Sequence, residues 1–421
     1  MLERRIGLGG SILLSFNGAV GAGIFALPGI LLADFGNFSP WLFPLVALGA
    51  MLIVWPFAQS AAAFPESGGP ATYGRVFGRF AGFELGWIYY VSRAAAFAAN
   101  ANVLTAYAAR WWPGTDEGLL RASLLIAITA FFAIANIVGV KRALRLLGGL
   151  TVLKALPLLL LALAAIAVTF PPPAPGPLLD LSALESGVLV VFYAFIGFEN
   201  ATVPAGETRR PQVALPRAIF TTMAAMTLLY FLVQLAFVSA LPGGGIDEKA
   251  PLIDLGGWLA GEVGVAVITL TIIFSLAGNL HGNLASTPRV TYAMGSRGDL
   301  PRWFSRINSR FETPANSIAF MALLAGALAL SGSFVLLAAI SVLSRLFVYA
   351  VTIAALSRAP GRPRLSGLHW ISGAVGIAVC AWAAAQADAA AWKTLAALTI
   401  AGALLYAISR WEAGFAARRG Q

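Results

Sequence analysis

The sequence predicts an all-α integral membrane protein with about 12 transmembrane helices. Of its 421 residues, 59% are hydrophobic and 11% are charged, whereas soluble globular proteins carry roughly 25% charged residues. The charged residues are clustered, and the apolar runs between them reach the length of about 18 residues that is typical of a membrane span. No polar stretch of the sequence is long enough to form a soluble domain, so we expect one transmembrane domain over residues 1–421.

Twelve apolar segments have spanning or near-spanning length. They cover residues 9–33, 41–63, 82–109, 121–139, 146–170, 184–204, 214–241, 261–293, 317–331, 333–357, 367–386 and 391–411. The ninth segment is short, and only Ser331, Gly332 and Ser333 separate it from the tenth. The apolar run behind Arg4 and Arg5 is too long for the core of a signal peptide, so we expect a retained first helix.

The positive charges predict the orientation of the chain in the membrane. The net charge is +10, and of the 28 lysines and arginines 21 lie on one set of alternate loops and four on the other set. Basic residues accumulate on cytoplasmic loops, so both termini are expected in the cytoplasm, and the number of spans is expected to be even. This distribution accounts for the positive charge without a nucleic-acid partner, and it predicts contacts with anionic membrane lipids. The excess of arginine over lysine, 24 to 4, indicates a GC-rich bacterium and therefore an inner membrane.

Gly18, Gly21 and Gly23 predict an interruption of the helix in the first segment. Each glycine weakens a helix by about 1 kcal/mol relative to alanine, and in lipid the freed backbone groups need partners. A new half-helix that begins here would present N–H groups and a positive dipole end, which suit a carboxylate. Close helix packing on small residues is the alternative interpretation. A dinucleotide fingerprint is excluded, because no third glycine follows in register and no strand–helix unit surrounds the pair.

The sixth segment contains the second interruption, at Gly197, Glu199 and Asn200. A glutamate inside a membrane span is unfavourable unless it faces a cavity or a partner. Interrupted spans at corresponding positions of two repeats are a sequence sign of a transporter site. The interruptions fall in segments one and six, so each repeat is five helices long and the two repeats are inverted. We therefore predict repeats over 1–170 and 184–358, followed by two additional helices over 367–412.

Four sequence motifs occur in order along the chain. They are Gly21-Ala22-Gly23-Ile24-Phe25 with Pro28, Phe64-Pro65-Glu66-Ser67-Gly68-Gly69 with Tyr73, Phe195-Ile196-Gly197-Phe198-Glu199 with Gly206-Glu207-Thr208, and Pro288-Arg289 with Tyr292-Ala293-Met294 and Gly298-Asp299-Leu300-Pro301. Each motif is weak alone, but the four together are specific. Over nearly its whole length the chain resembles the amino acid–polyamine–organocation (APC) family of permeases.

This resemblance implies discontinuous first and sixth helices, alternating access, and a substrate α-carboxylate on the backbone of residues 22–24. It also implies an α-amine near the carbonyls of Phe195 and Ile196, with Tyr193 closing over the substrate. Some relatives have a hydroxyl residue where this chain has Ala22, which leaves carboxylate binding to the backbone. The expected substrate-binding residues are Gly18, Gly21, Ala22, Gly23, Ile24, Tyr193, Phe195, Ile196 and Glu199.

Lys154 lies within the fifth segment, and two interpretations are open. Its side chain could extend to the cytoplasmic interface. Alternatively, the lysine could bridge segments one and eight and exchange its proton during transport. In the family that the chain resembles, a lysine at this position is similar to a built-in substitute for sodium. The second interpretation predicts sodium-independent transport that is proton-coupled or works by exchange, and severe loss of transport in Lys154→Ala.

Other polar residues inside the spans are candidates for coupling or gating. Glu199 could pair with Arg93 of the third segment or with Arg345 of the tenth, either as a fixed structural ion pair or as a link to gate closure. His281 titrates in a useful pH range, but hydrogen bonding between helices is the other interpretation. Asn100, in the third segment, carries the same ambiguity.

We therefore predict a secondary active transporter of a neutral α-amino acid, working by proton symport or by exchange. The expected pocket residues are mostly small or apolar, which indicates a neutral substrate, although a cationic amino acid or polyamine remains the second possibility. The sequence shows no set of catalytic side chains and no cluster with metal-ligand spacing, so we expect no enzyme, cofactor or metal. A non-transporting amino acid sensor or a channel does not explain the paired interruptions. The sequence carries no sign of an oligomeric state.

Overall fold

The computed structural model describes residues 6–64, 69–138, 143–176, 181–203, 205–242, 250–359 and 365–419. In these ranges the chain forms α-helices joined by loops and short 3-10 turns. The helices are α1 Leu8–Ala19, α2 Ala22–Phe35, α3 Ser39–Ala63, α4 Pro70–Tyr73, α5 Arg79–Ala108, α6 Gly118–Val138, α7 Ala143–Val168, α8 Leu181–Phe195, α9 Pro211–Ala240, α10 Pro251–Ser286, α11 Pro288–Ser296, α12 Ala315–Ser331, α13 Phe334–Ala355, α14 Gly367–Ala385 and α15 Ala389–Arg419.

The prediction of an all-α membrane protein is confirmed, and the chain is a multi-pass membrane protein. Eight helical segments of the described residues are long and apolar enough to cross a membrane. These are Ala22–Ala63, Gly118–Val138, Thr151–Val168, Pro211–Ala240, Pro251–Ser296, Phe334–Arg358, Gly367–Ala385 and Ala389–Glu412. Shorter apolar helices, Gly187–Thr202 and Ala315–Ser331, lie where the sixth and ninth segments were predicted. The number of 12 spans and the division into two repeats remain predictions.

The first predicted segment consists of two helices, because α1 ends at Ala19 and α2 begins at Ala22. Gly21, the residue before α2, has a non-helical backbone (φ −129°, ψ −142°) that interrupts the helical path. The sixth predicted segment is interrupted too. Its helix α8 ends at Phe195, Gly197 has a left-handed backbone (φ 113°), and a 3-10 turn follows over Phe198–Thr202. Glycine adopts this φ without the steric strain of a Cβ atom.

The structure corrects the limits of the eighth predicted segment, 261–293. Helix α10 already begins at Pro251, and its path breaks at Ala260 and Gly261. At Gly256, an added Cβ would come within 2.8 Å of the Gly264 carbonyl oxygen, so the part of α10 before the break lies directly against the part after it. The segment also ends earlier than predicted, because Pro288 opens the separate helix α11. Proline suits a first helical turn but has no N–H for the interior of a helix.

The longest described helices enclose the core around α5, which packs against α13, α10 and α12. Nearly all of the second half of α5 is buried, whereas α14 and α15 bury few residues. Large apolar side chains cover the outer surface of the bundle, among them Leu48, Leu119, Phe131, Val263 and Leu323. An exposed apolar surface of this extent suits contact with lipid rather than with water.

The start of the described chain is joined to the region after the second break. The Ile6 N–H donates to the Glu207 carbonyl at 2.9 Å, and the Arg209 N–H donates to the Ile6 carbonyl at 2.7 Å. Further along, the Ser15 hydroxyl donates to the Phe198 carbonyl at 2.8 Å. The residue Ile6 before α1 and Ser15 within α1 are therefore both bonded to the chain that follows α8.

Candidate functional site

The two helix breaks lie directly against each other. An added Cβ at Gly197 would come within 2.5 Å of the Gly18 carbonyl oxygen. At Gly18, an added Cβ would come within 1.7 Å of the Asn200 amide nitrogen. Only a residue without a Cβ fits either position in this arrangement. The breaks predicted from the sequence thus meet in the interior of the bundle, where the backbone groups that lack helical partners lie close together.

The amino end of α2 offers N–H groups that have no partner within the helix. The first turn of an α-helix leaves four N–H groups without an intrahelical acceptor, and here those positions are Gly21 to Ile24. The Ala22 N–H donates to the Asn100 side-chain oxygen at 2.7 Å. Gly23 lies close to the end of α8, because an added Cβ would be 3.1 Å from the Ala194 Cα. The residues predicted to bind a carboxylate are therefore at a helix start that faces the second break.

The carbonyl end of α1 is capped by Lys154, which extends from α7. Its ammonium nitrogen donates to the Asn17 carbonyl at 3.0 Å and to the Val20 carbonyl at 3.1 Å. The side chain is 1% exposed, so the ammonium group lies at the first break and not at the cytoplasmic interface. A cation at the negative end of a helix dipole is electrostatically favourable.

Asn279 of α10 links the two ends of the first break. Its amide nitrogen lies 3.5 Å from the Asn17 carbonyl oxygen, which Lys154 also contacts. Its side-chain oxygen accepts from the Asn100 amide nitrogen at 3.3 Å. A chain of hydrogen bonds thus runs from Lys154 through Asn279 and Asn100 to the Ala22 N–H. Segments one and eight are connected here, but through Asn279 and not by Lys154 alone.

Glu199 pairs with Arg345, one of its two predicted partners. The Arg345 Nε donates to Glu199 Oε1 at 2.8 Å, and both side chains are buried. The other carboxylate oxygen accepts from the Tyr349 hydroxyl and from the Gly197 N–H, each at 2.9 Å. Arg345 also donates to the Ser341 hydroxyl at 2.5 Å. The carboxylate therefore joins the second break to α13.

Arg93, the other predicted partner, contacts neutral groups. Its Nε donates to the Thr287 hydroxyl at 3.3 Å, and its Nη1 donates to the Asn200 side-chain oxygen at 3.3 Å. It is 6% exposed. Arg93 thus contacts Asn200, the residue that follows Glu199 in the sequence. Its guanidinium group is bonded to no carboxylate among the residues that the structure describes.

The aromatic residues near the second break divide into two groups. Tyr193 lies beside Gly23, and its ring packs edge-to-face on Phe334 of α13 with 5.5 Å between centroids. Phe195 instead packs on Phe43 of α3 and on Tyr230 of α9. Tyr193 is therefore placed to cover the amino end of α2, whereas the Phe195 ring contributes to the core.

Two other predicted residues have separate surroundings. Ile196 is 5% exposed, and its N–H donates weakly to the Tyr193 carbonyl at 3.4 Å, so the Tyr193 carbonyl already accepts a weak hydrogen bond.

His281 is half-buried and pairs with the Asn136 amide at 3.1 Å. Because His281 follows Asn279 by two residues, it points to the opposite side of α10, toward α6 and away from the breaks.

Sequence reasoning missed three residues that complete the site. Tyr349 follows Arg345 by four residues, so both lie on one face of α13, and this spacing could have revealed it. Asn279 lies two residues before His281 in the sequence and was not among the predicted site residues. Tyr107 carried no signal, yet its hydroxyl donates to the Phe25 carbonyl at 2.7 Å and accepts from the Leu252 N–H at 3.3 Å. It ties α2 to α5 and to the first part of α10.

Comparison with known proteins identifies the family. A family model described as amino acid permease matches residues 6–407, which is nearly the whole chain and includes both breaks. The chain belongs to the amino acid permease family. The family consists of membrane transport proteins, so the predicted resemblance is confirmed.

Three relatives illustrate the range of the family. An uncharacterised transporter of Mycobacterium tuberculosis is 28% identical over 95% of this chain and 90% of its own length. A serine/threonine exchanger of Bacillus subtilis is 27% identical over 77% of this chain and 76% of its own length. A branched-chain amino acid permease of the same organism is 26% identical over 86% and 83%. The names of the two Bacillus subtilis relatives give different amino acids.

Proposed function

We propose that this permease carries a neutral α-amino acid across the bacterial inner membrane by alternating access. The observation that carries the proposal is the contact between the two broken helices, in which the amino end of α2 faces the carboxyl end of α8. A helix start stabilises a negative group and a helix end stabilises a positive one. An α-amino acid has both groups on adjacent atoms, so it matches a pair of opposed helix ends.

The interior charges support a neutral side chain on the substrate. Among the residues that the structure describes, four buried charged side chains lie around the breaks: Arg93, Lys154, Arg345 and Glu199. Three are basic, and the one acid is already bonded to Arg345 and Tyr349. At the described side chains around the breaks, a cationic amino acid or a polyamine would meet a positive environment with no unpaired acid to receive it. The charge balance therefore argues against our second possibility.

The position of Lys154 supports transport without sodium. Its ammonium group is bonded to the Asn17 and Val20 carbonyls, which lie at the break itself. Carbonyl oxygens of an unwound helix end are the groups that coordinate Na⁺ in transporters with discontinuous helices. A fixed ammonium group at these oxygens supplies the positive charge that a sodium ion would otherwise bring. Transport of the substrate is then coupled to the movement of a proton, or to the movement of a second amino acid in the opposite direction.

The test is uptake into liposomes by the purified, reconstituted protein. Labelled L-serine, L-threonine, L-alanine, L-leucine, L-isoleucine, glycine, L-arginine and putrescine are each offered with an imposed pH gradient, with a sodium gradient, and with unlabelled amino acid inside. We expect accumulation of neutral amino acids, no effect of sodium, and no uptake of arginine or putrescine. Accumulation driven by the pH gradient identifies a symporter, and uptake only against internal amino acid identifies an exchanger.

Two results would overturn the proposal. Uptake that requires sodium would contradict the role given to Lys154. Binding of an amino acid without movement of any member of the panel, in either direction, would favour a sensor over a transporter.

A further inference from the structure

We infer that Asn100 competes with the substrate for the first break. In this inference, which rests on the proposed function, the Asn100 side-chain oxygen and the substrate carboxylate bind the Ala22 N–H in turn. Substrate binding then removes one of the hydrogen bonds that join α2 to α5. Asn100 is thus a positioning residue whose bond to Ala22 is present when the site is empty and lost when it is filled. It favours ligands with a carboxylate over analogues in which a carboxamide replaces that group.

The geometry at Ala22 carries the inference. The Asn100 oxygen accepts from the Ala22 N–H at 2.7 Å, a short bond between two buried groups. The same oxygen would lie 3.0 Å from a Cβ at Gly21, so it sits directly above the turn where the predicted carboxylate must approach. One N–H group has room for one strong acceptor, so a carboxylate oxygen at this N–H must replace the amide oxygen.

The physical chemistry makes such a replacement favourable. A hydrogen bond to an ionised acceptor is roughly twice as strong as one to a neutral acceptor. A full negative charge also gains from the positive end of α2, to which a neutral amide responds weakly. In this structure the amide nitrogen of Asn100 also donates to the Ala96 carbonyl and to the Asn279 side-chain oxygen. The bond to Ala22 is therefore one of three that hold the amide, and the carboxylate has to replace only that one.

The same network connects the exchange to the rest of the bundle. Asn100 binds Asn279, and Asn279 shares the Asn17 carbonyl with Lys154. When the amide releases Ala22, one of the bonds that hold the first break to α5 and α10 is lost. A substrate that makes this exchange thereby weakens the attachment of α2 to α5 when it binds.

The decisive variant is Asn100→Asp, which has nearly the same shape but carries a negative charge. Binding is measured in detergent by displacement of labelled L-alanine, L-serine and L-leucine, each compared with its carboxamide, L-alaninamide, L-serinamide or L-leucinamide. The aspartate repels the substrate carboxylate, so the Kd of the acids should rise by on the order of tenfold or more. The carboxamides lack the carboxylate but keep the α-ammonium group, so their Kd should not rise. The ratio of the two affinities is the readout that a purely structural role would not move.

A second variant gives a change of opposite sign. Asn100→Ala removes the competing oxygen, so the Kd of the acids should fall by about threefold or more, while the turnover of uptake falls. Asn102→Asp is the matched control on the same helix. Its side chain contacts Arg121 and the Ala329 carbonyl instead of the break, and its charge would face the Arg121 guanidinium. The control should bind acids and carboxamides in the wild-type ratio.

Two outcomes separate failure of this inference from failure of the proposed function. If wild type binds the acids, an unchanged ratio in Asn100→Asp, or a raised acid Kd in folded Asn100→Ala, overturns the inference alone. If wild type binds none of the acids, the proposed function fails and the inference fails with it. Monodisperse elution on size exclusion identifies the folded variants.

Discussion

Glu199 and Arg345 form an ion pair in which Arg345 Nε lies 2.8 Å from Glu199 Oε1, and both side chains are buried. The pair joins the turn after α8, which is the second helix break, to the middle of α13. Because Gly197 donates its N–H to the same carboxylate, the geometry of the break and the ion pair depend on each other. The continuation of the network through Ser341 to the Ser92 carbonyl extends this link to α5.

Neutralising one partner of this pair should destabilise the protein strongly. Arg345→Met leaves the Glu199 carboxylate buried without its counter-charge, a change that is typically worth about 3–5 kcal/mol. The double variant Arg345→Met with Glu199→Gln removes both charges and should recover much of the loss. The measurement is the midpoint of thermal unfolding in detergent, read by size exclusion after heating.

Glu262→Gln is the matched control, because Glu262 makes only an exposed ion pair with Arg110 at 3.5 Å. Exposed pairs contribute little, so this variant should unfold near the wild-type midpoint. A charge exchange between Arg93 and Glu199 should not rescue stability, since these residues are not bonded to each other. If the double variant were no more stable than Arg345→Met, the pair would not be the source of the loss.

Lys154→Ala should reduce uptake by on the order of tenfold or more while the protein still inserts and remains folded. The reason is that the Asn17 and Val20 carbonyls lose the cation that holds the carboxyl end of α1. The measurement is the initial rate of uptake into liposomes, normalised to reconstituted protein. Lys393→Ala, at an exposed position of α15, serves as the control and should transport normally. Full activity of Lys154→Ala would remove Lys154 from the mechanism.

Gly197→Ala should abolish the native contact of the two breaks. The residue has φ 113°, and a Cβ there would lie 2.5 Å from the Gly18 carbonyl oxygen. Backbone strain of this kind costs about 1–3 kcal/mol before the clash is counted. The unfolding midpoint should fall and uptake should be lost. Gly282→Ala on α10, where an added Cβ meets nothing within 4 Å, should be close to neutral; equal behaviour of the two variants would contradict the packing described here.

The sequence predicted the helices well because membrane spans are long and uniformly apolar. Both breaks were predictable too, because glycine clusters and a buried acid conflict with a continuous span. The partner of Glu199 was not predictable, since Arg93 and Arg345 both lie within spans and only the packing of α13 decides between them. The part of α10 before residue 261 was missed because it is a short helix that packs back on the same element and has no spanning length.

The orientation inferred from the basic loops can be tested by cysteine labelling. In a background of Cys380→Ser, Ser366→Cys lies between α13 and α14, and Ala389→Cys lies at the start of α15. The distribution of arginine places the first in the cytoplasm and the second outside. In intact cells a membrane-impermeant maleimide should label only Ala389→Cys. Labelling of Ser366→Cys without permeabilisation would invert the predicted topology.

The central claim is that an amino acid is carried at the contact between the two broken helices. Its most direct test is liposome uptake of neutral amino acids by wild type and by Gly23→Ala, whose added Cβ would lie 3.1 Å from the Ala194 Cα. Gly49→Ala, where an added Cβ meets nothing within 4 Å, is the control. We predict uptake by wild type and by Gly49→Ala, and loss of uptake in a folded Gly23→Ala. Undiminished uptake by Gly23→Ala would place the substrate elsewhere, and absence of uptake by wild type would contradict the claim itself.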